Sequence, residues 1–413
     1  MFVSTDTGSP GFLSRIVDRL FSDGGASQPA WAVGAGLSLS DQQIAAVGKF
    51  LLWMKSRRKE RPFFYIAGFA GTGKSTITKS IIEAAKSETT VKSIIGAAFT
   101  AKAAAVLRQK TGLTTMTIHA ALYQWGVDPS SGKGQFTINR DGPAAKANLL
   151  VVDEVSMVNE VMAHDLLSLG VPLLVLGDPG QLRPIKGYGY FIHQEPDVFL
   201  TEVHRQSAES PIVRLSKMVR EKILPPIGVH GRGVTVLPLT KETQILVYRP
   251  ETQPLCGIHR VRWTYSQRIR RLRGFEGTRP QAGEPILWRR NLLKEHGLCN
   301  GMVGVTSADA GDIGDGTISL AVHFDDLDKT VTHVTHPFLF DQHFRGPSEA
   351  PALPRGMGAA DWGYLLTGHA SQGSEFEDVT VIDDSSAFGE DKWAWLYTTI
   401  TRSSRNLTVL LRQ

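Results

Sequence analysis

Cysteine is almost missing from this chain. Cys256 and Cys299 are the only two in 413 residues, too few for a disulfide framework or a cysteine zinc site, so a reducing cytosol is the expected compartment. Long apolar runs are missing too. No stretch approaches the ~18 residues that would mark a membrane-spanning helix. The N-terminal stripe of Phe12, Leu13, Ile16, Val17, Leu20 and Phe21 is broken by Arg15, Asp18 and Arg19 and lacks the continuous apolar core of a signal peptide. It reads as a short helix docked on the core, with membrane or partner binding as the alternative, on a Gly/Ser/Ala-rich tether from Gly24 to Gly36. Neither sign of charge dominates: the formal net charge is +5. The excess is lumpy, with basic clusters at Lys55–Lys59 and Arg268–Arg273 against acidic Asp325, Asp326 and Asp328. Such clusters suggest a local polyanion track, the alternative for any one of them being a solvated helix face. Hydrophobic content of 42 % and charged content of 21 % are ordinary for a globular protein, and the length allows two to three domains.

What is present begins at residues 68–75, Gly-Phe-Ala-Gly-Thr-Gly-Lys-Ser. This is a complete phosphate loop, preceded by the apolar run Phe63–Ala67 and followed by a helical pattern from Ser75 to about Ala85 (Ile77, Ile81, Ile82). Strand, loop and helix in that order are what triphosphate binding needs. Glycines let backbone N–H groups turn inward, and the helix N-terminus adds positive potential. Lys74 is placed to neutralise the β/γ-phosphates and Ser75 to offer a hydroxyl to Mg²⁺. The strand Leu149–Val152 ends in Asp153-Glu154. There Asp153 is suited to hold Mg²⁺ and Glu154 to polarise an attacking water. The competing reading is an acidic pair capping the next helix.

Further along, Ser40 is a plausible N-cap for an apolar-periodic helix carrying Ile44, Val47, Phe50 and Leu51. Ser93–Phe99 and Pro172–Leu176 read as strands, the second entering Gly177-Asp178-Pro179-Gly180-Gln181-Leu182. The β-α-β alternation predicts a parallel sheet covered by helices. Between them the turn-rich Asp128–Gly134 tract joins two β-like runs as a hairpin. A second α/β unit is expected from near Phe191, with Gln244–Tyr248, Val379–Ile382 and Leu407–Leu411 as strands and Arg260–Leu272 as a basic helix. Residues 283–360 change character, with alternating runs such as Thr317–His323, and read as a small inserted β-barrel.

Six islands follow one another along the chain: the phosphate loop, Asp153-Glu154, Gly177–Leu182, Leu200-Thr-Glu-Val-His-Arg205-Gln, Leu366–Glu375 and Trp395–Arg402. Over residues 37–413 the chain resembles the superfamily 1 helicases, most closely the RecD/Dda-like branch of bacterial and phage DNA helicases. The resemblance implies an α/β fold of two RecA-like domains, parallel sheets flanked by helices. Domain 1A would span 37–190 with the hairpin 1B at about 120–147. Domain 2A would span 191–282 plus 361–413, and an SH3-like 2B would occupy 283–360, leaving 1–36 as helix and tether. It implies ATP and Mg²⁺ as the nucleotide and metal, with Lys74, Asp153, Glu154, Gln181, Arg205 and Arg402 as the catalytic set. Gln43 would read adenine, its amide pairing both edges of the base. Gln181 would sense the γ-phosphate, and the guanidinium forks of Arg205 and Arg402 would stabilise charge in the transition state. Gly68, Gly71, Thr72, Gly73, Ser75, Thr76, Gly373 and Glu375 would complete the nucleotide site.

The resemblance also implies single-strand contacts from Thr100, Lys102, Thr117, His119, Thr367, His369 and Ser371, residue types that suit phosphate binding and base stacking. Thr and Ser also serve simply as caps and turns. The hairpin at 123–146 falls where the family carries a strand-splitting pin, with Phe136 as a wedge or simply as packing for the hairpin. Four positions depart from the family: Ala370 where Lys is frequent, Arg183 where Pro is frequent, and His259 and Ser266 where two Asn are usual. The implied activity is ATP-driven movement on single-stranded DNA, 5′-to-3′, with duplex unwinding in replication, recombination or repair. Single strands and single/double-strand junctions are the implied partners, with a single-strand-binding or replisome protein as a further one. A monomer in a bacterial or phage-infected cytoplasm is expected. The rival readings are an RNA or RNA–DNA helicase, a P-loop enzyme independent of nucleic acid, and a DNA-binding scaffold with a dead ATPase.

Overall fold

Parallel strands carry both halves of the chain. The computed structural model describes residues 39–56, 61–127, 134–184, 187–202, 210–292, 297–354 and 356–412. The chain divides into two units. The first runs to Phe99 and adds Ala104–Pro179 and Arg183–His204; the second takes Thr100–Ala103, Gly180–Leu182 and the chain after His204. The N-terminal helix and tether, most of the Lys55–Lys59 cluster and Arg205 lie outside the described residues.

In the first unit α1 (Asp41–Ser56) precedes β1 (Phe63–Gly68). Ser40 starts the helix as expected: the Gln43 N–H donates to Ser40 Oγ at 3.4 Å and the Ser40 N–H to Gln43 Oε1 at 3.1 Å, a reciprocal capping box. Then follow α2 (Lys74–Glu88), β2 (Ile94–Ala98), α3 (Ala101–Thr111), β3 (Thr114–Thr117) and the short α4 (Ile118–Leu122). The hairpin β4 (Tyr123–Val127) and β5 (Gly134–Ile138) comes next, then β6 (Leu149–Asp153), α5 (Glu160–Leu167), β7 (Leu173–Gly177) and β8 (Val198–Leu200). The sheet order is β3-β2-β6-β7-β1-β8, all parallel.

Both faces of this sheet are covered, which is why its strands read as unbroken apolar runs. Phe64 and Ile66 face one side, against Phe50 and Leu51 of α1 and Ile77 and Ile81 of α2. Phe63 and Tyr65 face the other, against Met162 and Leu166 of α5 and Phe191. Because β8 pairs with β1 (Ala67↔Phe199), the change of unit expected near Phe191 falls later, after His204. A three-residue edge strand carries too short a pattern to be recognised before its partner is known.

The second unit opens with α6 (Pro211–Arg220), β9 (Gly228–Gly231), β10 (Val234–Pro238), β11 (Gln253–Cys256) and α7 (His259–Leu272). After an insertion it resumes at β18 (Leu366–Thr367), β19 (Phe376–Ile382), α9 (Lys392–Ile400) and β20 (Ser403–Leu411). The sheet runs β18-β11-β19-β20-β10-β9, parallel except for β9. One expected strand is absent: Thr243–Tyr248 form a 3₁₀ helix instead. Thr240 and Thr243 bond each other's backbone N–H groups through their hydroxyls, at 2.9 and 3.2 Å. Such local bonds start a turn in place of a ladder.

The insertion contains β12 (Pro285–Trp288), β13 (Val303–Thr306), β14 (Gly311–Gly314), β15 (Thr317–Phe324), β16 (Lys329–His336), α8 (Phe338–Arg345) and β17 (Gly358–Trp362). Its pairings close on themselves: β13 joins β12, β12 joins β17, β17 joins β16, β16 joins β15, and β15 returns to β13. The alternation read in 317–323 is real, with Ile318, Leu320, Val322 and Phe324 inside.

Buried charge ties this inserted sheet to α7. The Asp361 carboxylate accepts from Arg262 at 2.6 Å and from His343 Nε2 at 2.7 Å, while Arg270 meets Glu284 at 2.6 Å. The basic stretch of α7 is therefore partly an internal brace. Arg262 and the His343 bond hold Asp361 far below the usual carboxylate range against the opposing effect of burial. Burial makes His343 harder to protonate than a free histidine. A histidine with a lowered folded-state pKa destabilises the fold as pH falls below its unfolded value, because only the unfolded chain then gains the proton. Urea unfolding of the second unit should therefore shift to lower midpoints between about pH 7.5 and about pH 5.5. Part of that slope should vanish in His343→Gln. Asp361→Ala should cost about 3–5 kcal/mol at neutral pH, because it strands a buried guanidinium.

Candidate functional site

The register of the first sheet decides where its polar residues emerge. Ala67 pairs with Gly177, Ala98 with both Thr117 and Asp153, and Val152 with Val175. The carboxyl ends of β1, β2, β3, β6 and β7 thus share one edge. The phosphate loop, Thr117, Asp153-Glu154 and Asp178 all leave the sheet there, as do the chain leading to Thr100 and that leading to Gln181. In open parallel sheets this is the edge at which ligands bind.

The loop is shaped as a phosphate cradle. Gly71 and Gly73 adopt left-handed backbone, φ 81° and 78°, which glycine reaches without steric cost. At Gly68 a Cβ would lie 2.6 Å from Thr72 Oγ1 and 3.1 Å from Leu200 Cβ, so a side chain there would have to displace the Thr72 hydroxyl. Thr72 is buried and closes the loop on itself, its hydroxyl donating to Phe69 O at 2.8 Å. Lys74 opens α2, and its ammonium lies on the carbonyls of Gly68 and Phe69 at 2.6 and 3.1 Å. Ser75 and Thr76 follow in the first turn; the Ser75 side chain is outside the described set.

Asp153 ends β6, and one of its oxygens accepts the Glu154 N–H at 2.8 Å. Burial raises its pKa above the usual carboxylate value, and that N–H and the Lys74 charge oppose the rise. A carboxylate that is costly to charge in its surroundings is one a divalent cation would relieve, so the donor chemistry fits Mg²⁺. Glu154 sits at φ 55°, an uncommon conformation for a residue with a side chain, and makes no side-chain cap to the turn that follows. Glu154 is thus not the side-chain cap of that turn. Gln181 is buried, and its amide oxygen has no hydrogen-bond partner among the described residues. Gln43 is buried with its amide oxygen turned to Ser40.

Two residues escaped sequence reasoning. Asp178, buried at the end of β7, raises the pKa of the equally buried Tyr65 phenol, after burial itself. Like Asp153 it is a carboxylate where an apolar strand gives out, directly after β7, and that was the available signal. Gln42 receives the N–H groups of Thr201 and Glu202 at 3.0 and 3.2 Å and donates to Phe199 O at 3.1 Å. It fastens α1 to the chain leaving β8, and nothing in the local sequence marks that contact.

Among the expected single-strand contacts, Thr100 caps α3, accepting the Ala103 N–H at 3.1 Å, and Lys102 stands in that helix's first turn. Thr117 is buried and caps α4. His119 is exposed, its ring 6.1 Å from Phe99 and 5.7 Å from Tyr123. On the hairpin Trp125 and Phe136 face each other edge to face at 5.0 Å, yet stay 56 % and 63 % exposed. The hairpin base is anchored to the unit: the Tyr123 hydroxyl donates to Asp165 at 2.5 Å, and Arg140 to Ser168 O at 3.1 Å. Arg183 lies over the Tyr188 ring at 6.0 Å.

The second unit gathers its own set. Pairing of Phe376 with Ser403 brings the chain around Gly373 and Glu375 beside Arg402. Arg402 is buried and bonds Thr398 O at 3.0 Å, Ser374 O at 3.1 Å and Thr401 Oγ1 at 3.3 Å. All three are neutral oxygens, so the guanidinium keeps its charge uncompensated by these bonds. Glu375 is exposed, and Gly373 takes φ 73°. Thr367 ends β18 and accepts the Ala370 N–H at 3.3 Å, while buried Ser371 donates its hydroxyl to Gly368 O at 2.8 Å. These two hydroxyls shape the turn that presents His369, whose ring lies 6.0 Å from Phe388. His259 rests on Trp263, and Ser266 is buried inside α7.

Family models match two stretches: an AAA domain over residues 38–225 and a UvrD-like helicase C-terminal domain over residues 363–410. The ATP-dependent RecD2 DNA helicase of Deinococcus radiodurans is 33 % identical over 198 residues, covering 46 % of this chain and 25 % of that protein. The ATP-dependent DNA helicase dda of Enterobacteria phage T4 is 33 % identical over 201 residues, 44 % of each. The match thus spans less than half the length of either relative. Among solved structures, two Pif1 helicases coordinating at forked DNA superpose with a TM-score of 0.55 at 16 % identity, over 90 % of this chain and 92 % of that one. Pif1 helicase from Candida albicans gives 0.52, at 16 % identity over 91 % and 95 %. At such identity these superpositions speak for the fold. By its sequence matches the chain is similar to superfamily 1 helicases of the RecD/Dda kind, and by its fold to the Pif1 helicases.

Proposed function

We propose that this protein is an ATP-dependent DNA helicase, coupling hydrolysis to 5′-to-3′ movement on single-stranded DNA and to duplex unwinding. One observation carries the reading: the phosphate loop, Asp153-Glu154 and the chain to Gln181 all emerge from one carboxyl edge of a parallel sheet. In this reading the two units are RecA-like domains 1A and 2A, the hairpin is the pin 1B, and the closed barrel is an SH3-like 2B. Lys74 neutralises the β/γ-phosphates within the glycine cradle. Asp153 and the Ser75 hydroxyl would hold Mg²⁺, which supplies charge neutralisation on the phosphate oxygens. Glu154 takes a proton from the attacking water that Gln181 orients, and Gln43 reads the base. Arg402 and Arg205 stabilise charge developing on the γ-phosphate.

Closure on nucleotide and opening after hydrolysis would change the grip on the strand through Thr100, Lys102, Thr117, His119, Thr367, His369 and Ser371. The relatives named as DNA helicases support this activity, as does the Bacteroides Pif1 structure bound to ADP-AlF3 and single-stranded DNA, whose TM-score is 0.51 at 16 % identity. Among the described residues no helix is long and apolar enough to cross a membrane, and we place the enzyme as a monomer in the cytoplasm, with a single-strand-binding or replisome protein as a candidate partner.

The primary test is ATPase with and without single-stranded DNA, then unwinding of duplexes carrying 5′ or 3′ tails. Stimulation by RNA equal to that by DNA would turn the reading toward an RNA helicase. Stimulation by neither would leave a P-loop enzyme independent of nucleic acid. Glu154→Gln should bind ATP and DNA normally and hydrolyse poorly, because the amide keeps the shape but accepts no proton. Wild-type turnover would remove Glu154 from its role.

Arg402→Ala should lose hydrolysis by orders of magnitude and keep nucleotide affinity within about tenfold, as for a contact made in the transition state. A collapse of affinity with normal turnover would make Arg402 a ground-state binder.

The hairpin separates motor from wedge. Opening a base pair costs on the order of 1–2 kcal/mol of stacking, and Trp125 with Phe136 offers an exposed aromatic edge to hold strands apart. Replacing residues 135–138 with Gly-Ser should leave DNA-stimulated ATPase intact and reduce unwinding. Loss of both, or of neither, would reject the pin.

A further inference from the structure

The basic cluster Arg268–Arg273 does not belong to one surface. Arg270 is buried on Glu284, whereas Arg268 and Arg271 are exposed and turn to a groove of about 910 Å³ between α7 and the 3₁₀ helix Thr243–Tyr248. Lys241 joins them from the other wall, and none of the ten residues lining the groove is acidic. The rest of the lining is apolar or neutral. Ile245 and Leu272, on opposite walls, are 64 % and 66 % exposed, a cost in water that an apolar partner would remove. The tyrosines lie deeper: Tyr265 is buried, its ring 6.2 Å from that of Tyr248 and covered by the Arg268 guanidinium at 5.5 Å. Arg268 is held there by a bond to Gln244 Oε1 at 2.9 Å.

This chemistry selects among polyanions. A nucleic acid strand would want open aromatic faces for its bases, and the Tyr265 face already carries a guanidinium. Aliphatic side chains exposed between three cations suit a chain that brings carboxylates and hydrophobic side chains together. We infer that the groove between α7 and residues 243–248 is a docking site for an acidic peptide segment bearing aliphatic or aromatic side chains. The carboxylates pair with Lys241, Arg268 and Arg271, and the apolar side chains settle on Ile245 and Leu272. None of these residues takes part in the proposed nucleotide or strand contacts, so the inference stands apart from the helicase reading.

Fluorescence anisotropy on the full chain tests it with a labelled peptide alternating aspartate with leucine and phenylalanine. Saturable binding is expected, weakened by salt as the charges are screened. The double variant Arg268→Glu, Arg271→Glu should lower affinity by about tenfold or more. Leu272→Ser should lower it with little change in the salt dependence. Thermal melting and ATPase should stay at wild-type values in both. The inference is overturned by absence of saturable binding, by equal binding of the same peptide with lysine in place of aspartate, or by binding that the double variant leaves unchanged. Displacement of the peptide by a single-stranded oligonucleotide in wild type, with the double variant losing the oligonucleotide equally, would reassign the groove to nucleic acid.

Discussion

In-register parallel pairing through β2, β6, β7 and β1 is the constraint on which the candidate chemistry depends. A parallel sheet needs helical crossovers and burial on both faces, so nearly every position along these strands is apolar and unavailable for catalysis. Polar groups are released only where strands end. Pairing of Ala98 with Asp153 and of Ala67 with Gly177 makes those ends coincide. Residues far apart in sequence thereby emerge together at a single edge, with a sheet covered on both faces behind them.

The second unit repeats the principle with a different emphasis. Its sheet is again mainly parallel, but Glu375 and Arg402 gather at the amino ends of β19 and β20 rather than at the carboxyl ends. Arg402 is aimed by three neutral oxygens, which fix a guanidinium without cancelling its charge. A charge-compensated arginine would offer less to a developing negative charge elsewhere. Beside this sheet the inserted one is fastened by buried ion pairs, Arg262–Asp361 and Arg270–Glu284. Such pairs add little net stability over an apolar contact, while breaking one is costly. They serve to hold one arrangement of α7 against the inserted sheet.

Arginines within a few residues of each other on α7 do unrelated things. Arg262 and Arg270 are internal, while Arg268 and Arg271 line the groove opposite Ile245. Helical periodicity spreads a run of like charges around the axis, so a basic run does not mark a basic face until the packing surface of the helix is known. The same caution applies to hydroxyls. Thr117, Thr367 and Ser371 each bond their own turn, so any role in strand binding would act through the backbone they shape as much as through their side chains.

Much of the architecture was legible in residue order alone. The phosphate loop, the strand ending in Asp153-Glu154, the covered parallel sheet, the hairpin and the alternating strand Thr317–Phe324 all rest on local patterns, whose period or turn chemistry is set by neighbours along the chain. What only tertiary structure decided has a common physical reason: it depends on partners distant in sequence. The edge strand Val198–Leu200 exists because β1 offers it a ladder. Gln42 gains its role because the chain after that strand returns to it, and Tyr123 secures the hairpin because Asp165 lies within reach. Gln244–Tyr248 reads as a strand from composition, and two threonine hydroxyls bonding nearby backbone make Thr243–Tyr248 a 3₁₀ helix. Sequence determined which groups are available at strand ends; pairing register and packing decided which of them face one another.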